Sequence, residues 1–374
     1  MTIATEGSPG HGEQSHREQP SGEPGPGPAS GRFAPADLET FTTAALAALG
    51  APAPFARQVA VSLVLSNLVG HDSHGIIRLI QYSGWIADGQ IRPAAEPEVS
   101  QRAAATAVID GHWGFGQSAA QLAVGVLAET ATANGAGAVT IRDCNHIGRL
   151  GEYVATLAGQ GLVGLSFGNG GPVVAPFGGA GRALGTNPFA WAAPAGPAGP
   201  LVVDFSTAGV AEGKLKLAAA DGRPVAEGLI VDAAGHPSTN ADDFYAGGAL
   251  LPFGGHKGSG LSVMIELLGG LLTGMGTAPT PSYGGGNGAV MMALRVGAFT
   301  DPGAYAADAE RFREELVTAG RGAAPGPVLL PGEIEARTRT ERLRDGVPVS
   351  PAVLAGIYAV TDPLGVPRPV PHPG

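Results

Sequence analysis

The chain has 374 residues, 44% of them hydrophobic and only 14% charged, with 61 glycines and 32 prolines. That is enough apolar material for a sizeable core threaded with many turns. A formal net charge of −10 argues against nucleic acid as a partner, because phosphate backbones want a basic face, and the single cysteine, Cys144, excludes an intrachain disulfide framework and fits a reducing cytoplasm.

Residues 1–32 are built from Gly, Pro, Ser, Glu and His with almost no apolar anchor, so a disordered extension without a signal-peptide pattern is expected there. Order is expected from Phe33. Asp37 can cap a helix whose Leu38, Phe41, Ala45 and Leu49 form an apolar stripe ending at Gly50, and a second helix runs from Ala53 towards Asn67. A third, starting near Ser73, would put His74, Arg78 and Tyr82 on one face at four-residue spacing. That face offers a titratable imidazole, a planar cationic fork for a carboxylate and a phenol, and it marks residues 33–103 as a helical substrate-site region. The bland alternative is a solvated polar stripe.

Over 104–330 strands and helices alternate, as in a mixed α/β core that could hold a cofactor. The patterns predict strands at 106–109, 136–141, 162–167, 189–193, 201–204 and 289–296. They predict helices at 117–134, 148–159, 261–273 (buried) and 302–319 (amphipathic). A charged segment of alternating sign and a last helix near 351–360 fill a C-terminal region, 331–374, expected to pack against the N-terminal one. The most apolar stretch, 261–275, carries Glu266 and several glycines and is too short to span a bilayer, so no membrane partner is expected and a cytoplasmic protein is.

Several turns of the core could carry chemistry. Asp143-Cys144-Asn145-His146-Ile147-Gly148-Arg149 lies where a strand gives way to a helix, and a histidine there can act as general acid or base near neutral pH. Gly168-Asn169-Gly170-Gly171-Pro172 lets another molecule approach the backbone, although a plain tight turn reads the same way. Asp204, closing an apolar strand, could accept ribose hydroxyls, orient a histidine or only cap a helix. Gly254-Gly255-His256-Lys257-Gly258-Ser259-Gly260 precedes the apolar helix, where free N–H groups and one lysine make a phosphate site, without Walker A spacing.

Two sharper patterns are disfavoured. Gly114-Phe115-Gly116-Gln117-Ser118-Ala119 matches the dinucleotide pattern G-x-G-x-x-A, yet His112 and Trp113 intrude where a tight turn should follow the strand. A zinc site drawn from His71, His74, His112, His146, His236 and His256 has no paired ligand spacing, so no metal is expected.

Gly70-His71-Asp72-Ser73-His74-Gly75, Asn145-His146-Ile147-Gly148, Val174-Ala175-Pro176-Phe177-Gly178-Gly179, Leu184-Gly185-Thr186-Asn187-Pro188, the segment from Leu250 to Gly260 and Leu330-Pro331-Gly332-Glu333 form an ordered set. In that order and spacing the chain, over about residues 33–360, closely resembles the malate/L-lactate dehydrogenase family. That family also contains sulfolactate and ureidoglycolate dehydrogenases and cyclic imine-carboxylate reductases. The resemblance implies a mixed-sheet α/β fold that binds NAD or NADP without a Rossmann fingerprint. It also implies a homodimer or higher homo-oligomer with its sites close to the subunit interface.

By the same likeness His146 matches the proton-transferring histidine, and Ser73, His74, Arg78 and Tyr82 match the substrate pocket. In that pocket Arg78 would clamp a carboxylate, His74 would bind or polarise the substrate oxygen, and Thr186 and Asn187 would line the rest. The implied cofactor contacts are Ile147, Gly148, Arg149, Leu150 and Gly151, then Gly170, Asp204, Phe205, Ser206 and Lys257, and lastly Leu330, Pro331, Gly332 and Glu333. Three departures stand out: Gly170 lacks the side chain often found there, Asp204-Phe205-Ser206 replaces the usual Asp-Met-Ala, and Cys144 and His112-Trp113 are atypical. The implied reaction is reversible hydride transfer between nicotinamide and C2 of a small 2-hydroxy or 2-oxo acid. NADPH-dependent reduction of a cyclic imine-carboxylate and a non-catalytic cofactor-binding role are the alternatives.

Overall fold

The structure, a computed structural model, describes residues 31–320 and 326–372, so the expected disordered extension lies outside it except for Gly31 and Arg32. Those two residues are ordered: Gly31–Phe33 (β1) pairs antiparallel with Val347–Val349 (β12), which sinks Phe33 into the core. Helices Pro35–Ala48 (α1) and Ala53–Leu68 (α2) each carry proline in the first turn, where its missing N–H is one of the orphan donors anyway. Their buried faces meet Pro351–Thr361 (α11) and Arg78–Ala87 (α3) in one apolar cluster that joins the two ends of the chain.

The continuous helix expected from Ser73 does not form. Asp72–His74 is a lone 3-10 turn, Gly75 is extended (φ −86°, ψ −156°), and α3 begins only at Arg78. The cause is Asn67, whose side chain competes for the backbone: Oδ1 accepts the Ile76 N–H (2.9 Å) while Nδ2 donates to Asp72 Oδ1 (2.6 Å). His74 therefore stands on a turn ahead of the helix, and only Arg78 and Tyr82 belong to α3.

The core sheet has seven strands, Glu98–Arg102 (β2), Thr106–Asp110 (β3), Ala136–Arg142 (β4), Leu162–Gly168 (β5), Phe189–Ala193 (β6), Leu201–Phe205 (β7) and Ala289–Arg295 (β11), in the order β2-β3-β4-β11-β5-β6-β7. Only β3 and β4 run parallel, so the sheet is mixed. Gly116–Asn134 (α4) and Leu150–Ala158 (α5) cover one of its faces. Ile230–Val231 (β8), Pro237–Ser238 (β9) and Ala249–Leu250 (β10) make a small satellite sheet beside Glu212–Ala220 (α6) and Ala241–Tyr245 (α7). Pro302–Ala319 (α9) and Glu333–Asp345 (α10) complete the chain. Where only an alternating-charge segment was expected, α10 places Glu333 and Glu335 in its first turn and Arg342 and Arg344 in its last, which complements the helix dipole.

The apolar stretch expected as a buried helix is His256–Ile265 (α8) followed by a π-helical turn, Glu266–Leu271. One face of it is buried, through Ser262, Ile265, Glu266, Gly269 and Gly270, while Val263, Met264, Leu267, Leu271 and Leu272 on the other are exposed. Among the described residues no helix is long and apolar enough to cross a membrane.

Strand register decides where the motifs go. Asp110 pairs with Arg142, Ala289 with both Ile141 and Gly168, and Phe189 with both Phe167 and Phe205. The carboxyl ends of β3, β4, β5 and β7 and the amino ends of β6 and β11 therefore share one edge. Loops 143–149, 169–172, 185–188 and 206–209 all open there.

Candidate active site

The loop carrying His146 is held from three sides. Asn145 Nδ2 donates to the carbonyls of Gln90, Trp113 and Gly114 (2.9, 2.9 and 3.1 Å). His112, Trp113 and Asp143 sit at positive φ (48°, 61° and 47°), a costly conformation for residues with Cβ, and the Trp113 N–H bonds the Asp143 carbonyl across the gap (2.6 Å). A Cβ at Gly116 would collide with the carbonyls of Asn145 and His146. The glycine of the apparent dinucleotide motif thus admits the protein's own backbone, so that α4 can start directly beneath His146. Gly148 turns the chain at φ 79° into α5.

The loop delivers His146 to α3. Its Nδ1 lies 2.8 Å from Tyr82 Oη, and the His74 ring stacks on it at 5.4 Å with an interplanar angle of 26°. Ser73 Oγ lies 3.1 Å from His74 Nδ1. Arg78 Nε donates to the Ser73 carbonyl (2.7 Å) and Nη1 to Gln81 Oε1, which leaves Nη2 without a partner among the described residues. Ser73, His74, Arg78, Tyr82 and His146 thus form one cluster although they come from two separate regions of the chain. Burial pushes His74 down to about 3, with Arg78, His71 and Arg149 adding to the effect. Burial, Arg78 and His74 hold His146 well below its ordinary value. Both shifts favour the neutral ring. Burial pushes the Tyr82 phenol up to about 12 against the pull of Arg78.

Beyond His146 the expected cofactor contacts divide. Ile147 and Leu150 are core residues, so their side chains face the sheet and only their backbone remains for a ligand. Arg149 is 8% exposed and its side chain makes no hydrogen bond among the described residues; Asp204 Oδ2 is 3.9 Å away. Asp204 acts as a cap, because Oδ2 accepts the Gly151 N–H at the start of α5 (2.7 Å). Burial raises its carboxyl, with Arg149 and the Gly151 N–H opposing. Ser206 Oγ donates to the Thr186 carbonyl (2.9 Å), and the exposed Phe205 ring meets Phe189 and Phe253 edge-on. Lys257 is exposed in the first turn of α8, and its side chain has no hydrogen-bond or ion-pair partner among the described residues; the Phe253 N–H ties that loop to the Thr207 carbonyl (3.0 Å). The Pro331 carbonyl accepts the Val202 N–H (3.3 Å), Leu330 is buried, and Glu333 pairs with Arg313 and Arg337 (both 3.8 Å).

Asn187 needs correction. Expected in the substrate pocket, it is fully buried at φ 33°, and Nδ2 is committed to Ser262 Oγ (2.9 Å) and Glu266 Oε1 (2.8 Å). Its amide nitrogen serves a buried network, while Oδ1 has no hydrogen-bond partner among the described residues. Thr186 beside it stays half-buried. Gly170 lies in a turn whose backbone packs against Gly185.

Three functional supports escaped the motifs. Gln117 Nε2 donates to Tyr82 Oη (2.6 Å) from inside the disfavoured glycine pattern. Arg342 of α10 grips Asp72 with both nitrogens (2.7 and 3.0 Å), and Glu335 meets His71 (3.2 Å), so one helix braces the whole 71–74 turn. Glu266, a lone carboxylate in an apolar run, gathers four donors. Only that last anomaly was visible as a signal.

A buried guanidinium without hydrogen bonds, a free lysine at a helix start and a turn open to its backbone at Gly170 fit an anionic dinucleotide. Among the described residues no three His, Cys, Asp or Glu side chains could hold a metal ion.

A profile of the malate/L-lactate dehydrogenase family matches residues 33–358. The chain is 34% identical over 346 residues to hydroxycarboxylate dehydrogenase B of Escherichia coli O157:H7, covering 90% of this chain and 95% of that protein. It is 35% identical over 325 residues to a Delta(1)-pyrroline-2-carboxylate/Delta(1)-piperideine-2-carboxylate reductase of Pseudomonas putida, covering 86% and 94%. The solved malate dehydrogenase of Pyrococcus horikoshii OT3 superposes with a TM-score of 0.82 at 30% identity, over 90% of this chain and 96% of that one.

Proposed function

Because the chain belongs to the malate/L-lactate dehydrogenase family, we propose that it is an NAD- or NADP-dependent dehydrogenase of a small 2-hydroxy acid, working in the cytoplasm. The carrying observation is the cluster of His146, His74, Tyr82 and Arg78, which sets two stacked imidazoles beside one fixed cation. The bound cofactor supplies the hydride on reduction and takes it up on oxidation. His146 exchanges a proton with the substrate oxygen through Nε2, the ring nitrogen with no protein partner among the described residues. Arg78 draws in the carboxylate with its unpartnered end, and its tethers to Ser73 and Gln81 fix its direction before substrate arrives, which lowers the ordering entropy of the reacting complex. His74, held by Ser73, contacts the substrate oxygen as a neutral ring. Arg149, Lys257 and the backbone around Gly148 and Gly170 hold the cofactor, with Asp204 keeping the start of α5 in place.

The test follows nicotinamide absorbance with NADH and NADPH separately against pyruvate, oxaloacetate, sulfopyruvate and a cyclic imine-carboxylate. Oxidation of either cofactor by a 2-oxo acid is expected. Turnover on the imine alone would move the chain to the reductase alternative, which its likeness to the Pseudomonas putida reductase supports. Silence across the panel would overturn the reading.

We also propose a homodimer or higher homo-oligomer. The sheet face turned from α4 and α5 exposes Trp191, Met292 and Leu294, and the α8 region adds Met264, Leu271 and Leu272. Contiguous apolar surface of this kind marks an association face. Wild type is expected to elute as an oligomer in light-scattering chromatography and Leu271→Glu to shift it towards monomer; a wild-type monomer would refute the assembly.

A further inference from the structure

Beneath Tyr82 and His146 lies Gln117, an amide with one atom unused among the described residues. Gln117 and Tyr82 are both fully buried, Phe115 packs on the Tyr82 ring at 5.9 Å, and Gln117 Oε1 has no hydrogen-bond partner among the described residues. The chain of contacts runs Gln117 Nε2 to Tyr82 Oη (2.6 Å) to His146 Nδ1 (2.8 Å). We propose that Gln117 is a positioning residue that directs the single Tyr82 hydroxyl proton and so fixes which ring nitrogen of His146 is protonated.

The argument is proton counting. While the Gln117 N–H donates to Oη, the Tyr82 proton points at Nδ1, and a neutral His146 carries its own proton on Nε2. When the ring is an imidazolium, Nδ1–H must donate to Oη instead, and the Tyr82 proton needs another acceptor. Oε1 becomes that acceptor when the amide turns over. An imidazolium that gives its Nε2 proton to the substrate oxygen is left with the Nδ1–H form: one N–H bond breaks, one O–H bond forms, and Tyr82 stays neutral. A carboxamide serves both states because it carries a donor and an acceptor. The other groups facing His146 are Arg78 and His74, with the Cys144 thiol beside Tyr82, and none of them supplies that pair of functions at Oη.

This inference rests on the proposed acid–base role of His146, and its test is read without turnover. In protein labelled with 15N-histidine, the His146 signals (assigned with His146→Asn) report both tautomer and titration. Wild type is expected to carry the neutral proton on Nε2. Gln117→Glu, whose carboxylate only accepts, should move it to Nδ1 and raise the titration by about one pH unit. Gln117→Leu, which can accept nothing from Tyr82, should lower the titration by a similar amount. Signals unmoved in both variants, or moved in the same direction, would overturn the proposal. Should Gln117→Glu fail to fold, Gln117→Leu decides alone, since a lowered titration supports the role and an unmoved one ends it. Inactivity on every 2-oxo acid with these shifts intact would count against the reaction and not against Gln117.

Discussion

His146→Asn is expected to lower turnover with a 2-oxo acid about 10²-fold or more while cofactor binding stays near wild type. Asparagine can still place a polar atom near Tyr82 Oη, so the loop clamped by Asn145 has no reason to move. What disappears is the titratable nitrogen on the open side of the ring. Steady-state kcat and NADH fluorescence titration separate the two effects, and near wild-type kcat would remove His146 from the mechanism. The same variant carries a stability signature. Folded His146 is held well below 6.5 by burial, Arg78 and His74, whereas the unfolded chain protonates near 6.5. The unfolded state therefore binds more protons as pH falls below about 6.5, and stability declines there. Losing His146 should make that acid decline shallower.

Sequence pattern reached the elements whose burial is periodic. The helix at 302–319 coincides with α9, and the apolar strands at 162–167 and 289–296 coincide with β5 and β11 to within a residue or so at their ends. It failed where a side chain or a partner decides the backbone. β2 is exposed along its whole length, so an edge strand leaves no alternation to read. The helix expected from Ser73 breaks because Asn67 supplies bonds that the helix would otherwise make, and local spacing carries no trace of that competition.

The site was legible as motifs and not as a site. Tyr82 and His146 lie 64 residues apart, and only the strand register and the seat of α4 under the His146 loop bring them to 2.8 Å. Asn187 shows the reverse error. A polar residue in a conspicuous motif was read as facing substrate when its side chain closes a buried network. Motif membership gives chemistry type, while the direction of a side chain is a property of the fold.

That buried network makes the second large prediction. Glu266, 4% exposed in the π-helical turn, accepts from the Ala278 N–H (3.0 Å), the Gly185 N–H (3.2 Å), Asn187 Nδ2 (2.8 Å) and Asn169 Nδ2 (3.3 Å). Asn187 and Asn169 have other acceptors, in Ser262 and the Gly276 carbonyl, but the N–H groups of Gly185 and Ala278 have none among the described residues. Glu266→Ala therefore strands two buried donors, each worth about 1–3 kcal/mol when left unpaired. A loss of about 3 kcal/mol is expected, a large share of the roughly 5–15 kcal/mol that holds a domain folded. Glu266→Gln keeps one carbonyl oxygen and should lose about half as much. Urea midpoints for the three proteins measure this directly, and an unchanged midpoint in Glu266→Ala would show that the loops do not depend on the carboxylate. If they do depend on it, cofactor affinity should fall together with stability. The Gly170 turn and the stretch through Thr186 are tied to one another by Glu266 and its asparagines, by the backbone bonds of the Gly168 N–H to the Pro188 carbonyl (3.2 Å) and of the Val173 N–H to the Leu184 carbonyl (2.9 Å), and by the backbone contact of Gly170 with Gly185, so removing the carboxylate loosens one part of the edge where the cofactor is proposed to bind.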